Sequence, residues 1–516
     1  MARSTRRDGW RNRLSFYILT HFRWFWSLCQ AIPPVRRWWN RRLVNRAIYQ
    51  TATRPYQYSL LSDYTSWDSL SDRTFTGRHL PAVKLPDDLP PLDRVTELFR
   101  RGPTEKPSAK STVLFSYFAQ WFTDGFLRTR RDDPRRNTSN HEIDLSPLYG
   151  LNPTYTALLR SHTGGRLKSQ TINGEEYPPY YFQDGQPREE FRNLPILVPD
   201  EVPAARRNDL FAFGADRGNV QIGYVMLNTL FLREHNRLCG VLAAANAGWD
   251  DERLFQTARA INIVLLLKIV IEEYINHIAP YHFRFRVDAP SGNRESWYWA
   301  NWMTVEFNLL YRWHSLVPDT IALADRVRPL IETVYDTRLV TGAGLGAMFD
   351  AASRQPAGEV GLFNTTEFLI ETEKASIALG RQVRLASYND YRVMVGYPRV
   401  TAFDQITGDP VRQAQLRELY GHVDRVEFYV GLFAEDVRAN AAVGALVGRL
   451  VGIDAFSQAL TNPLLAEHIF GPDTFTAAGM AIIASTQSLS DILHRNIPAV
   501  ERKWAVSLTR LDWRRQ

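Results

Sequence analysis

Apolar residues recur at spacings of three and four over most of this chain, and two-residue alternation is scarce and short. That pattern predicts helices over 111–129, 223–242 and 254–278, the last almost continuously apolar and closing near Pro280. Shorter helices are predicted over 326–335, 342–353, 365–381 and 411–419, and 441–460 is apolar with small residues. Residues 54–107, rich in Pro, Asp and Ser, and the polar stretch 130–200 read as irregular structure. Gly342, Gly344 and Ala347 spell a loose dinucleotide fingerprint, but no buried strand precedes them and no βαβ unit surrounds them. The expected fold class is mainly α-helical.

Residues 9–54 break this regularity by interleaving Trp, Phe and Tyr with arginine, and Pro33-Pro34 divides the stretch in two. Of the 516 residues, the first 54 hold twelve arginines against Asp8 alone, a net charge of +11 where the whole chain carries +7. The basic character therefore belongs to this segment. Short helices with aromatics on one face and arginines on the other suit a membrane interface. A helical layer on the protein's own core is the competing reading, and nucleic-acid binding ranks below both because no nucleic-acid motif accompanies the charge. No apolar run reaches the ~18 residues of a spanning helix, since Lys268 and Arg449 interrupt the longest ones. Arg11, Arg13 and Arg23 are unlike a signal peptide. Two cysteines, Cys29 and Cys239, exclude a disulfide framework and a cysteine metal site, and fit a reducing cytosol.

Candidate chemistry sits in 306–319. This stretch has no helix breaker before Pro318, so Tyr311 and His314, three apart, are expected on one helix face. A buried histidine can bind haem iron through a ring nitrogen, and a tyrosine one turn away could pass an electron to it. The plainer alternative is a core tyrosine and a core histidine on an apolar helix.

The run Glu-Phe-Asn-Leu-Leu-Tyr-Arg-Trp-His at 306–314 resembles the proximal-haem segment of cyclooxygenases (prostaglandin endoperoxide synthases) and related fatty-acid dioxygenases of the animal haem peroxidase superfamily. Further blocks agree in order: Phe-Ala-Gln at 118–120, Leu-Arg-Glu-His-Asn-Arg at 232–237, then 269–274, 353–358 and 418–429. The resemblance runs from about residue 20 to 498, and a bacterial member is expected.

It implies a catalytic domain over 55–516 that holds haem b, and a monotopic membrane-binding segment over 1–54 on the cytoplasmic side. Position by position, His314 becomes the iron ligand, with Gln120 and Trp313 as haem contacts. Tyr311 becomes the radical tyrosine and Tyr274 its hydrogen-bonding partner. Arg46 and Tyr281 would take a fatty-acid carboxylate, and Phe456, Ser457, Phe307 and Leu310 would line the channel. Asp124 stands where cyclooxygenases keep a distal histidine, and Arg217 falls where myeloperoxidase-like enzymes keep an active-site arginine. The acidic residue that pairs with the anchoring arginine in cyclooxygenases has no counterpart, because the approach to Ser457 reads Arg449-Leu450-Val451-Gly452. The cyclooxygenases' disulfide-rich epidermal-growth-factor-like module is excluded by cysteine count.

The implied reaction adds dioxygen to an unsaturated fatty acid through a tyrosyl radical and releases a lipid hydroperoxide, with weak peroxidase turnover because of Asp124. Three alternatives stay open. They are endoperoxide formation, a peroxidase for small donors, and a lipid- or membrane-binding protein that has lost catalysis. Peripheral contact with membrane lipid is expected, nucleic acid is not, and a homodimer is left open.

Overall fold

A computed structural model describes residues 14–48, 54–323, 326–498 and 503–515. The architecture is helical. Among the described residues the strands form only five antiparallel pairs, each of two short strands. At the centre, Ile222–Ala245 packs against Asp251–Lys268 and against Val113–Thr123. These helices are buried over most of their length, as their near-continuous apolar sequence requires. Asp251 to Ile278 is long and apolar enough to cross a membrane by composition, a run the sequence reading put below that length. Its most apolar 18-residue stretch is nevertheless 78% buried inside the protein, so it reads as a core helix.

The rod beginning at Asp251 is not uniform. Asp251–Lys268 is α-helical, Ile269–Ile275 is a π-helix, and Asn276–Ile278 returns to α. This wider turn lies where Tyr274 sits, and π segments commonly mark functional positions.

The basic N-terminal segment forms helices over 14–21, Arg23–Ala31 and Pro33–Ile48, divided at Phe22 and at Ile32, with the proline pair opening the third helix. Trp26, Val44 and Ile48 point into the core, Trp26 lies edge-on to Phe283, and Asn40 exchanges two hydrogen bonds with the backbone of Arg286. On the outside, Tyr17, Phe22, Trp24, Leu28, Ile32 and Trp38 remain exposed.

The expectation that Tyr311 and His314 share one helix is corrected. The helix Val305–Leu310 ends at Leu310 with Tyr311 as its C-cap, and a separate 3-10 turn spans His314–Leu316. Tertiary contacts outweigh local propensity here. Tyr311 stacks on Trp313 with ring centroids 4.9 Å apart, which two residues on one α-helix cannot do. Between them Arg312 turns the other way, donating to Ser376 Oγ at 2.8 Å and Asn308 Oδ1 at 3.1 Å. The helix predicted over 326–335 is likewise reduced to Leu330–Thr333, behind the strand Val327–Pro329.

Candidate active site

The turn between Leu310 and His314 brings four polar groups into one enclosed region. The Tyr311 and Tyr274 hydroxyls, Trp313 Nε1 and His314 Nδ1 are all buried without a hydrogen bond. Native proteins tolerate few such groups, so a cluster of them points to a site rather than to packing. Phe115 ties the parts together, stacking on Tyr274 at 5.3 Å and on Trp313 at 5.8 Å.

Tyr311 and Tyr274 lie close enough for each to act on the other's phenol. Burial pushes the Tyr274 phenol well above its usual range, and Tyr311 adds to the shift. Burial likewise pushes the Tyr311 phenol upward, against the effect of Tyr274 and with that of Asp454. No hydrogen bond of normal geometry joins the two hydroxyls. A phenol held this way keeps its proton at neutral pH, so it gives up proton and electron together.

His314 Nδ1 lies 3.2 Å from Glu373 Oε1, within ion-pair reach but angled off a hydrogen bond. Glu373 is itself fixed, accepting from Thr365 Oγ1 at 2.8 Å and from the Tyr429 hydroxyl at 2.5 Å. Nε2 occupies the opposite side of the imidazole ring. A carboxylate behind a ligating histidine orients the ring and raises its basicity. Among the described residues no cluster of three or more His, Cys, Asp or Glu could hold a bare metal ion, so iron binding would rest on His314 within a porphyrin. These features fit a haem.

Gln120 is the one exposed residue on the helix Val113–Thr123, which is buried up to that point, and its Oε1 accepts from Gln221 at 3.2 Å. Asp124, four residues on, is buried instead. Its Oδ2 accepts from Arg128 at 3.0 Å and its Oδ1 from Arg217 at 2.9 Å. Arg128 also pairs with Asp216. The structure therefore brings Asp124 and Arg217 together, and it occupies both carboxylate oxygens with guanidinium groups.

The remaining predicted residues divide. Arg46, Tyr281 and Phe456 line one cavity of about 500 Å³. Its walls also include Ile275, Ile278, Gly448, Arg449 and Gly452. Among the described residues, Ser457, Phe307 and Leu310 are not on that wall. Ser457 Oγ accepts from the buried Arg54 at 3.0 Å and donates to the Asp454 carbonyl. Phe307 packs edge-on to Tyr311 at 4.7 Å, and Leu310 is wholly buried. The cavity comes within one residue of Tyr274, at Ile275.

Sequence reasoning missed Glu373, Arg128, Gln221 and the buried His79–Asp454 pair, whose Nε2 to Oδ2 distance is 3.0 Å. Arg128 had a local signal, four residues after Asp124 on a helical spacing. The others come from far along the chain.

Residues 125–506 match the animal haem peroxidase family, and the chain belongs to that family. Among curated relatives, prostaglandin G/H synthase 2 of Equus caballus is 32% identical over 499 residues, covering 93% of this chain and 80% of the relative. Prostaglandin G/H synthase 1 of Rattus norvegicus is 31% identical over 497 residues, with the same coverage. Two solved structures share the fold. Peroxidase A of Dictyostelium discoideum superposes with a TM-score of 0.70 at 18% identity, covering 85% of this chain and 95% of its own. A fatty acid alpha-dioxygenase of Oryza sativa superposes with a TM-score of 0.68 at 16% identity, covering 97% of this chain and 98% of its own. The protein is thus a haem-peroxidase-fold oxidoreductase, related to cyclooxygenases and folded like fatty-acid dioxygenases.

Proposed function

We propose that the protein is a haem-dependent dioxygenase of unsaturated fatty acids that works through a radical on Tyr311 and releases a lipid hydroperoxide. The observation that carries this reading is Tyr311, buried and without a hydrogen-bonded partner, stacked on Trp313 next to His314. His314, backed by Glu373, would hold haem b, with Trp313 beside it. Bound haem would supply the one-electron oxidising equivalent that peroxide provides.

The chain's own residues do the rest. Tyr311 loses a proton and an electron, and Tyr274 is the neighbouring oxygen that steadies the phenoxyl. The phenoxyl takes a hydrogen atom from an allylic or bis-allylic C–H, which restores the Tyr311 O–H and leaves a carbon radical. Dioxygen adds to that carbon, and the peroxyl radical takes the hydrogen back from Tyr311. One activation therefore serves many turnovers. The protein's share is to position one carbon and exclude the others.

The cavity bordered by Arg46, Tyr281 and Phe456 supports a fatty-acid binding site, with an apolar wall and cationic groups. The exposed aromatics and arginines of the N-terminal helices support monotopic seating on an anionic membrane. Cosedimentation with phosphatidylserine vesicles, weakened by salt, is the matching measurement.

The test of the reaction is oxygen uptake together with product mass on a panel of unsaturated fatty acids. Wild-type protein with haem should consume oxygen and give a hydroperoxide. Tyr311→Phe should keep its haem and its peroxide consumption but lose the lipid-dependent oxygen uptake. Oxygenation by Tyr311→Phe at the wild-type rate would refute the radical assignment.

A further inference from the structure

The cavity holding Arg46 and Tyr281 carries charge of one sign. Four arginines line it, Arg46, Arg392, Arg438 and Arg449, and among the described residues no aspartate or glutamate does. Three of the four are engaged. Arg392 is paired with Glu435 at 3.0 Å, and Arg438 lies over the Phe16 ring. Arg46, exposed at the rim, gives Nη1 to Ser15 Oγ at 2.6 Å.

Arg449 differs from these. It rises from the first half of the helix Ala445–Leu460, and its Nε and Nη2 are enclosed with no hydrogen-bond partner. Among the described residues no carboxylate pairs with it. Burial presses its guanidinium toward the neutral form and Arg46 adds to this, while the phenols of Tyr397 and Tyr281 work the other way. A buried charge without an anion is strongly disfavoured, and a fixed guanidinium stays charged.

The orphaned atoms also specify the shape of the missing partner. Nε and Nη2 form one edge of the guanidinium, with two parallel N–H bonds. Elsewhere in this molecule that edge grips carboxylates in two-point contact. Arg237 holds Glu234 at 2.8 and 2.8 Å, Arg354 holds Asp350 at 2.7 and 2.9 Å, and Arg381 holds Glu427 at 2.7 and 2.9 Å. At Arg449 the same edge is presented in a cavity whose neighbouring wall is apolar. Gly448 and Gly452 on the same helix leave space beside it, since a side chain at Gly452 would meet nothing within 4 Å.

We propose that the Nε–Nη2 edge of Arg449, rather than Arg46, seats the carboxylate of the fatty-acid substrate, with the Tyr281 and Tyr397 hydroxyls beside it. The assignment rests on the fatty-acid reading above and adds the residue that recognises the head group.

The test is equilibrium binding of oleate and methyl oleate to the purified full-length protein, followed by displacement of cis-parinaric acid, with thermal unfolding in parallel. Arg449→Met should weaken oleate binding roughly tenfold or more and leave methyl oleate unchanged. Arg449→Lys should lose most of the same affinity, because an ammonium lacks the two-point fork. Arg46→Gln should change oleate binding by less than about threefold. Without ligand, Arg449→Met should melt no lower than wild type, because it removes an uncompensated charge, and oleate should no longer raise its melting temperature. A tenfold loss in Arg46→Gln with none in Arg449→Met would overturn the assignment, and so would oleate binding unmoved by either variant. Either result would leave the fatty-acid reading standing. Wild-type protein that binds neither lipid would overturn both.

Discussion

Glu373 Oε1 lies 3.2 Å behind His314 Nδ1, and the carboxylate is itself pinned by Thr365 and Tyr429. A negative charge at that position makes the imidazole a stronger donor through Nε2 and favours the higher oxidation state of an iron bound there. Glu373→Gln removes the charge and keeps the shape. It should raise the reduction potential of the bound haem and weaken haem affinity roughly ten- to a hundredfold. Spectroelectrochemistry and haem titration measure these directly. An unchanged potential would show that Glu373 serves packing only.

Asp124 is 3% exposed and holds two arginines, one from four residues on and one from 93 residues further on. Removing it leaves the buried Arg128 with Asp216 alone. Asp124→Ala should therefore cost about 1–3 kcal/mol of stability, read from the denaturant midpoint. With both carboxylate oxygens engaged, Asp124 is poorly placed to shuttle a proton between peroxide oxygens. Peroxidase turnover should be slow in wild type and should rise in Asp124→His, provided that variant folds. A fast wild-type peroxidase crippled specifically in Asp124→Asn would reverse this reading.

Gly452 faces the cavity with open space beyond it. Gly452→Leu should stabilise the helix Ala445–Leu460 by about 1 kcal/mol through propensity alone. It should also fill part of the lipid cavity. A higher melting temperature with loss of long-chain fatty-acid binding, and shorter chains less affected, is the expected pairing. Unchanged chain-length preference would place the acyl chain elsewhere.

His79 and Asp454 form an enclosed pair. Burial works against the His79 imidazolium, but the charge and hydrogen bond of Asp454 outweigh it and hold the pKa up at about 8. An unfolded histidine titrates near 6.5. The pair's contribution, about 2 kcal/mol, is thus fully present below pH ~6.5 and lost as pH rises through about 8. Wild-type protein should lose that stability across the window, and His79→Gln should not. Parallel pH profiles for the two proteins would remove His79 from the account.

The helical class and the long central helices were legible because their apolar spacing is continuous over many turns. The Tyr311–His314 pair was legible as a motif, but its geometry was not. No proline or glycine marks the break after Leu310, because the break comes from Arg312 reaching Ser376, 64 residues away. Ser457 shows the same limit. Its partner Arg54 lies 403 residues earlier in sequence, and nothing local foretells a buried guanidinium there. Arg449 did leave a signal, the lone cation in the helix Ala445–Leu460 and the one charge in its first, otherwise apolar half. Read along the chain it looks like an interruption, and only the cavity around it turns it into a candidate ligand.

The π-helix Ile269–Ile275 has a consequence for the chain's tolerance of insertions and deletions. One rod delivers Tyr274 to Tyr311 and, one residue on, Ile275 to the cavity wall, so both assignments share a single screw. Removing one residue to restore the ordinary pitch would turn everything after it by roughly 100°. Tyr274 would swing off Tyr311 while Ile275, Ile278 and Tyr281 left the cavity together. The segment behaves as a clutch between the redox centre and the lipid site: side chains along it can be exchanged one at a time, but its length cannot drift in one site without disengaging the other.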